Sequence, residues 1–189
     1  MPNPLVSVII PTYNGRDLVR DAIQSVLRQT YTNLELLVVD DCSPDGHRDI
    51  VEAFGDPRVR LLRHDQNKGA QLARKTGVDS SRGEIIFFLD QDDYFHPRKL
   101  ERHVRMMEAD PEIGFSYNPH FTVLHPVGWT VGIWRPPSTP TLADLVQGFP
   151  IAPSVWSMRR GWAARDELYD ESAVLRGAEA VICGRLLVA

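Results

Sequence analysis

Ile85–Leu89 reads IIFFL and runs straight into Asp90-Gln91-Asp92-Asp93, an unbroken apolar stretch that ends in a cluster of carboxylates. A short apolar run without alternation reads as a strand buried on both faces, which is the habit of parallel sheets. The acids at its mouth repel one another and lose hydration, an arrangement that is costly unless a cation or hydrogen-bond donors compensate. A hard divalent ion such as Mg²⁺ or Mn²⁺ takes few carboxylates together with waters and phosphate oxygens, and a strand-end Asp-x-Asp suits it. The plainer alternative is a turn in which one acid caps the next helix. On these residues alone both readings stand.

Working outward, Val6–Ile10 (VSVII) is a β-branched run expected to stop at Pro11, followed by the turn residues Tyr13-Asn14-Gly15. Leu18, Ala22, Ile23, Val26 and Leu27 then recur at helical spacing. Leu34–Val39 is a second apolar run, ending at Asp40-Asp41, and a short helix is expected over Arg48–Phe54. Val59–Leu62 reads as a third strand. The small residues Ala70, Ala73 and Gly77 predict a helix packed closely on a sheet, and Leu100, Val104 and Met107 mark a helix that Pro97 could open. Repeated strand–helix alternation predicts an α/β fold with a mostly parallel sheet covered on both faces and right-handed crossovers. Ligands of such sheets gather beyond the carboxyl ends of the strands. Thr12-Tyr13-Asn14, Asp40-Asp41 and Asp90–Asp93 all fall on that rim.

After about residue 111 the pattern changes to short strands, Ile113–Tyr117, His120–Leu124 and Thr130–Trp134, broken by Pro126, Gly128, Pro136 and Pro137. With no linker between the halves, residues 1–189 are expected to form one domain, the second half elaborating the same sheet.

Composition narrows the function. The chain has 189 residues with 21 Lys+Arg against 25 Asp+Glu, a formal net charge of −4. A mildly acidic chain without a Lys/Arg tract lacks an electrostatic footprint for nucleic acid. No apolar stretch approaches the ~20 residues that span a bilayer, and Met1-Pro2-Asn3-Pro4 lacks the basic start of a secretion signal. Cys42 and Cys183 make no disulfide framework, so a reducing, cytoplasmic setting is expected. No Gly-x-Ser-x-Gly, phosphate-binding Walker loop or Gly-x-Gly-x-x-Gly appears, and the six histidines include no zinc-type His-x-x-x-His pair. His96, His103 and His125 are expected to be partly exposed.

Two further clusters bear on chemistry. A carboxylate at Asp40-Asp41 can accept from a ribose hydroxyl or a base N–H, or can simply turn the chain into Ser43-Pro44. Asn67-Lys68-Gly69 followed by Ala73-Arg74 offers a loop, a helix start and a guanidinium, which suits phosphate as well as it suits a solvent-facing arginine. Cys42, beside two acids, is a poor nucleophile candidate.

Taken together these segments resemble the family 2 glycosyltransferases of the GT-A fold. The matching stretches are VSVIIPTYN (6–14), AIQSVLRQTY (22–31), LELLVVDDCS (34–43), NKGAQLARKTG (67–77), GEIIFFLDQDDYFHP (83–97) and, more weakly, residues 168–186. The resemblance implies a Rossmann-like sheet with a small mixed or antiparallel elaboration. It divides the chain into a nucleotide-sugar-binding half (1–110) and an acceptor-side half (111–189). It implies that Pro11 and Tyr13 line a nucleobase pocket, with Tyr13 stacking, and that Asp41 binds the base. Asp90 would lie near the ribose and metal shell, Asp92 would ligate Mg²⁺ or Mn²⁺ bridging the diphosphate, and Arg74 would face the nucleotide. The implied reaction is inverting transfer from a nucleotide-sugar donor, a UDP-sugar, to a glycan, lipid-linked or small-molecule acceptor in cell-wall or polysaccharide biosynthesis, by a protein that can associate peripherally with a membrane.

Departures from the pattern matter. Where the family commonly shows Glu-Asp, with the Asp as general base, this chain has Glu179-Ala180, so Glu179 is left as the candidate base. The other reading of Ala180 is a nucleotide-sugar-binding protein impaired in catalysis. Cys42 stands where Gly is frequent, and Lys75 where Asn is frequent. Relatives often continue past a point equivalent to Ala189, into a tail that shapes the acceptor site. Trp129–Pro137 is the candidate acceptor wall, since aromatic faces stack on sugars, or else it carries ordinary core tryptophans. A phosphohydrolase with Asp90 as nucleophile would want Thr or Val where Tyr94 stands.

Overall fold

The computed structural model describes residues 3–124, 129–135, 152–164 and 169. Its main sheet has six strands in the spatial order Val59–Arg63, Leu34–Asp40, Val6–Thr12, Ile85–Phe88, Trp156–Arg159 and Phe115–Tyr117. The first four, β1 (Val6–Thr12), β2 (Leu34–Asp40), β3 (Val59–Arg63) and β4 (Ile85–Phe88), are mutually parallel. They alternate with α1 (Val19–Leu27), α2 (Arg48–Glu52), α3 (Ala70–Ser80) and α4 (Lys99–Ala109).

Burial explains why these strands read as continuous apolar runs: each side of the sheet carries its own core. Val8, Ile10, Leu36, Val38, Ile85 and Phe87 pack on one face against Ala22, Ile23 and Val26 of α1 and Leu100, Val104 and Met107 of α4. Ile9, Leu37, Val39, Ile86 and Phe88 pack on the other against Ala73 and Val78 of α3. The small-residue reading of α3 holds, because a Cβ at Gly77 would come within 2.4 Å of Ile9 Cγ2.

The strand expected to stop at Pro11 runs on to Thr12. Pro11 is tolerated because the β1–β4 ladder ends at Ile9 and Phe88, while β1 and β2 stay paired as far as Thr12 and Asp40. Leu89 N–H donates to the Ile9 carbonyl at 3.0 Å, so alternation aims the position of Pro11 toward β4 just where β4 has ended, and no ladder bond is lost.

In the second half, β5 (Phe115–Tyr117) joins the main sheet as expected, but through a strand the sequence did not announce. That strand is β8 (Trp156–Arg159), which inserts antiparallel between β4 and β5. Trp156 on β8 is a core residue, packed against Phe88 and Phe115. β6 (His120–Leu124) and β7 (Trp129–Trp134) pair as a separate hairpin with a bulge between Thr122 and Val123. A short α5 (Arg160–Ala163) follows β8.

His103 is a correction to expectation. It is 5% exposed, its Nδ1 within 2.8 Å of Ser116 Oγ and 2.9 Å of Ser157 Oγ, and its Nε2 3.1 Å from Asn118 Oδ1. The polar partners that permit its burial lie on β5, β8 and the residue after β5, beyond the reach of a pattern read along α4. Burial, then the Lys99 charge, push its imidazole down to about 3, so it is neutral. His96 is exposed as expected, and His125 lies outside the described residues.

Candidate active site

The strand order reverses direction between β1 and β4, and the ladder there ends early, so the carboxyl ends of β1, β2 and β4 mark the place where sheets of this kind form their ligand crevice. Pro11, Tyr13, Asp41, Arg74, Asp90 and Asp92 are all placed on the strand ends and adjoining segments that border it. Glu179 and Ala180 lie outside the described residues.

Tyr13 follows β1 and is 47% exposed. Pro11 is buried in the strand. Asn14 adopts φ 50° and donates its N–H to Ser43 Oγ at 3.1 Å, which binds the turn after β1 to the turn after β2.

Asp41 has a task that spacing did not predict. Its carboxylate is buried, with His64 Nδ1 at 2.7 Å and the backbone N–H groups of Lys68 and Gly69 donating at 2.8 and 2.7 Å. His64 Nε2 lies 2.8 Å from Thr76 Oγ1, so strand, loop and helix are tied through one carboxylate. Oδ2 receives one of these bonds and has a second lone pair for a ligand donor. Asp40 turns inward as well, accepting from Ser43 N–H at 2.8 Å with Arg63 Nε at 3.4 Å.

Arg74, expected either to face solvent or to face a nucleotide, is buried on α3 and donates from Nη2 to Asp90 Oδ1 at 2.7 Å. One of the clustered acids is thereby compensated. Asp92 and Asp93 protrude from the turn. The Asp93 carboxyl is held above the ordinary range by desolvation. A Ser154 hydrogen bond opposes that shift, and repulsion from Asp90 and Asp92 reinforces it. Ser154 also accepts the Asp90 N–H at 2.9 Å and therefore pins the turn at both ends. No motif could have announced Ser154, because it enters from the turn before β8. Gln91 and Lys99 likewise carry no motif signal. Lys99 is buried over the Phe95 ring at 4.8 Å and donates to Asn118 Oδ1; burial lowers its ammonium to about 7, while Asp93 pulls the other way.

The donor set fits a hard divalent cation that brings its own remaining ligands. The acids at 90, 92 and 93 concentrate negative charge that Arg74 only partly offsets. Among the described residues no group of three His, Cys, Asp or Glu side chains forms a closed metal cage. Mg²⁺ and Mn²⁺ fit such an open carboxylate site when phosphate and water complete the shell. Asp92 and Asp90 are the residues that would hold it.

A separate cavity of about 330 Å³, lined among others by Pro4, Ile85, Met107 and Arg159, sits by the amino ends of β1 and β4 and includes none of these residues. The backbone of the expected acceptor wall forms β7, whereas the side chains of Trp129 and Trp134, and all of Pro136 and Pro137, lie outside the described residues. No helix among the described residues is long and apolar enough to cross a membrane.

Comparison with known proteins places this geometry. The chain is 42% identical over 116 residues to the putative teichuronic acid biosynthesis glycosyltransferase TuaG of Bacillus subtilis, covering 60% of this chain and 46% of that protein. It is 44% identical over 117 residues to the Escherichia coli UDP-Glc:alpha-D-GlcNAc-diphosphoundecaprenol beta-1,3-glucosyltransferase WfgD, covering 62% of this chain and 46% of the relative. The chain thus spans about half the length of the curated relatives it matches. Among solved structures, residues 1–349 of Staphylococcus aureus TarS superpose with a TM-score of 0.76 at 20% identity, over 97% of this chain and 55% of that one. A mannosyltransferase from Pyrobaculum calidifontis, in complex with GDP-Man and Mn²⁺, superposes with a TM-score of 0.64 at 22% identity, over 86% of this chain and 46% of that one. These structures share the GT-A architecture. The model of glycosyl transferase family 2 matches residues 7–164, a span that includes all of the described strands except Val6, the first residue of β1, and the chain belongs to that family.

Proposed function

We propose that this chain transfers a sugar from a nucleotide-sugar donor, a UDP-sugar, to a hydroxyl of a glycan, lipid-linked or small-molecule acceptor by metal-dependent inverting displacement. The observation that carries the reading is the convergence of Tyr13, the Asp41-held loop, the Arg74–Asp90 pair and Asp92 on one crevice at the strand-order switch. Support comes from the UDP complex of TarS and the GDP-Man and Mn²⁺ complex of the archaeal mannosyltransferase, and from the undecaprenol-linked acceptor named for WfgD. Residues 1–110 serve the donor and residues 111–189 the acceptor. Nucleic acid is not a partner, and the protein works in the cytoplasm, peripherally at a membrane when its acceptor is lipid-linked.

In this reading Tyr13 stacks on the base above Pro11, and the second lone pair of Asp41 Oδ2 accepts a base N–H. Asp92 and Asp90 hold Mg²⁺ or Mn²⁺, which when bound supplies electrostatic stabilisation of the departing diphosphate. Arg74 holds Asp90 in place and adds positive charge near the phosphates. The acceptor oxygen forms its bond to the anomeric carbon as the bond to the diphosphate oxygen breaks with its electron pair, and the hydroxyl proton passes to a carboxylate, Glu179. The test is release of UDP from a panel of UDP-sugars with Mn²⁺ or Mg²⁺. Turnover is expected with at least one donor and is expected to fall at least about a hundredfold in Asp92→Ala. A wild-type protein that neither binds nor turns over any nucleotide sugar with either metal would refute the proposal.

Ala180 favours a second reading, a donor-binding protein impaired in catalysis. It predicts binding of donor and metal without turnover, and a gain of transfer in Ala180→Asp. Efficient transfer by the wild type rules it out.

A further inference from the structure

The residue between the first two acids of the turn reaches across the crevice. Gln91 Oε1 accepts from Thr12 Oγ1 at 2.8 Å and from the Tyr13 N–H at 3.0 Å, and its Nε2 donates to the Tyr13 carbonyl at 3.2 Å. One planar amide therefore engages both backbone polar groups of the residue proposed to stack on the base. It does so beyond Ile9 and Phe88, where the β1–β4 ladder has ended and backbone pairing no longer joins the two segments. Tyr13 is half-exposed, so burial alone does not fix its ring.

The turn is also built around this amide. A Cβ at Gly15 would lie 2.2 Å from Gln91 Oε1, so a larger residue there would displace the amide from its place, and 3.0 Å from Thr12 Oγ1, a tight contact. Only a primary amide offers an acceptor and a donor on neighbouring atoms of one plane. A carboxylate would keep the bonds from Thr12 and the Tyr13 N–H but could not donate to the carbonyl, and a hydrocarbon would make none of the three.

We propose that Gln91 is a positioning residue for nucleotide recognition, holding the Tyr13 backbone so that its ring stands where the base of the donor stacks. This inference rests on the donor reading above and adds to it the residue that positions the stacking ring.

The test is a double-mutant cycle on UDP binding, measured by titration calorimetry with saturating Mn²⁺ in the wild type, Gln91→Met, Tyr13→Ala and the double variant. Gln91→Met keeps the side-chain length and removes the clamp, and it is expected to weaken UDP about 5- to 20-fold, the scale of a few solvent-competed hydrogen bonds. In the Tyr13→Ala background the same change is expected to alter affinity by less than about twofold, because the group it positions is gone. A general loosening of the turn would instead cost as much in both backgrounds, and that result overturns the proposal, as does UDP binding by Gln91→Met at wild-type strength. Failure of the wild type to bind UDP brings down the donor reading itself and this inference with it, an outcome distinct from the other two.

Discussion

Cys42 holds a left-handed backbone conformation, φ 64°, immediately after Asp41. For a residue with a side chain that conformation costs roughly 1–2 kcal/mol, which glycine avoids at the expense of some unfolded-state entropy. The Sγ contact to the Asp65 carbonyl, at 3.4 Å, is a weak return. Cys42→Gly is therefore expected to stabilise the protein by up to about 1 kcal/mol, a melting temperature higher by roughly 2–4 °C in calorimetry. An unchanged or lower melting temperature would show that the strain is relieved elsewhere. At this scale the sequence was partly legible. The carboxylates at 41, 90 and 92 declared themselves by standing after apolar runs. Their pairings did not, because the partners come from distant segments: 67–69 stood out as a helix start but not as donors to Asp41, and His64 and Ser154 carry no local pattern at all.

Among the elements, α3 shows how a helix start can organise the crevice without a conventional side-chain cap. Its cap residue, Gly69, has φ 86° and ψ 158°, a region essentially closed to residues with a Cβ, and its N–H is taken by Asp41 from β2. The carboxylate thereby sits at the N-terminal end of the helix, where the amide N–H groups point. Gly69→Ala is expected to destabilise the fold by about 1–3 kcal/mol and, by releasing the Lys68 and Gly69 amides from Asp41, to weaken UDP binding as well. Denaturant unfolding and UDP titration of the variant check both limbs, and wild-type behaviour in either would contradict the account. The parallel strands and their helices were readable because local pattern and tertiary role agree there: buried on both faces, they must be apolar throughout. β8 was not readable, since WSMR mixes a core tryptophan with polar residues whose partners lie on β4, β5 and α4, and only the assembled sheet makes a strand of it.

At the scale of the whole molecule, two buried charges, Glu35 and Lys99, shape stability against pH in opposite limbs. Burial alone would raise the Glu35 carboxyl, but hydrogen bonds from Ser7 and from the backbone and side chain of Arg82 outweigh it and hold it below its ordinary range. Its contribution is complete above the ordinary carboxylate value of 4.5 and is lost as pH falls through its lower folded-state value. Lys99 works in the other direction. Its ammonium falls from 10.5 to about 7 on folding, chiefly by desolvation, with Asp93 as the opposing charge and the neutral His103 beside it. Between those values the unfolded chain binds more protons than the folded one, so stability must rise with pH across that window, by at most about 1.4 kcal/mol per pH unit. Below about 7 both states carry the charge and the full penalty of burying it remains. Lys99→Met removes that slope and leaves Asn118 Oδ1 with His103 Nε2, so it is expected to raise the melting temperature at neutral pH by roughly 2–8 °C, for a gain of about 1–2 kcal/mol. Glu35→Gln, by contrast, is expected to lower stability at neutral pH and to flatten only the acid limb. Denaturant titrations of the wild type and both variants from acid to alkaline pH separate the two effects. A wild-type profile that is flat above neutrality, or a Lys99→Met profile that keeps the alkaline slope, would mean that the lysine is charged and solvated in the folded protein.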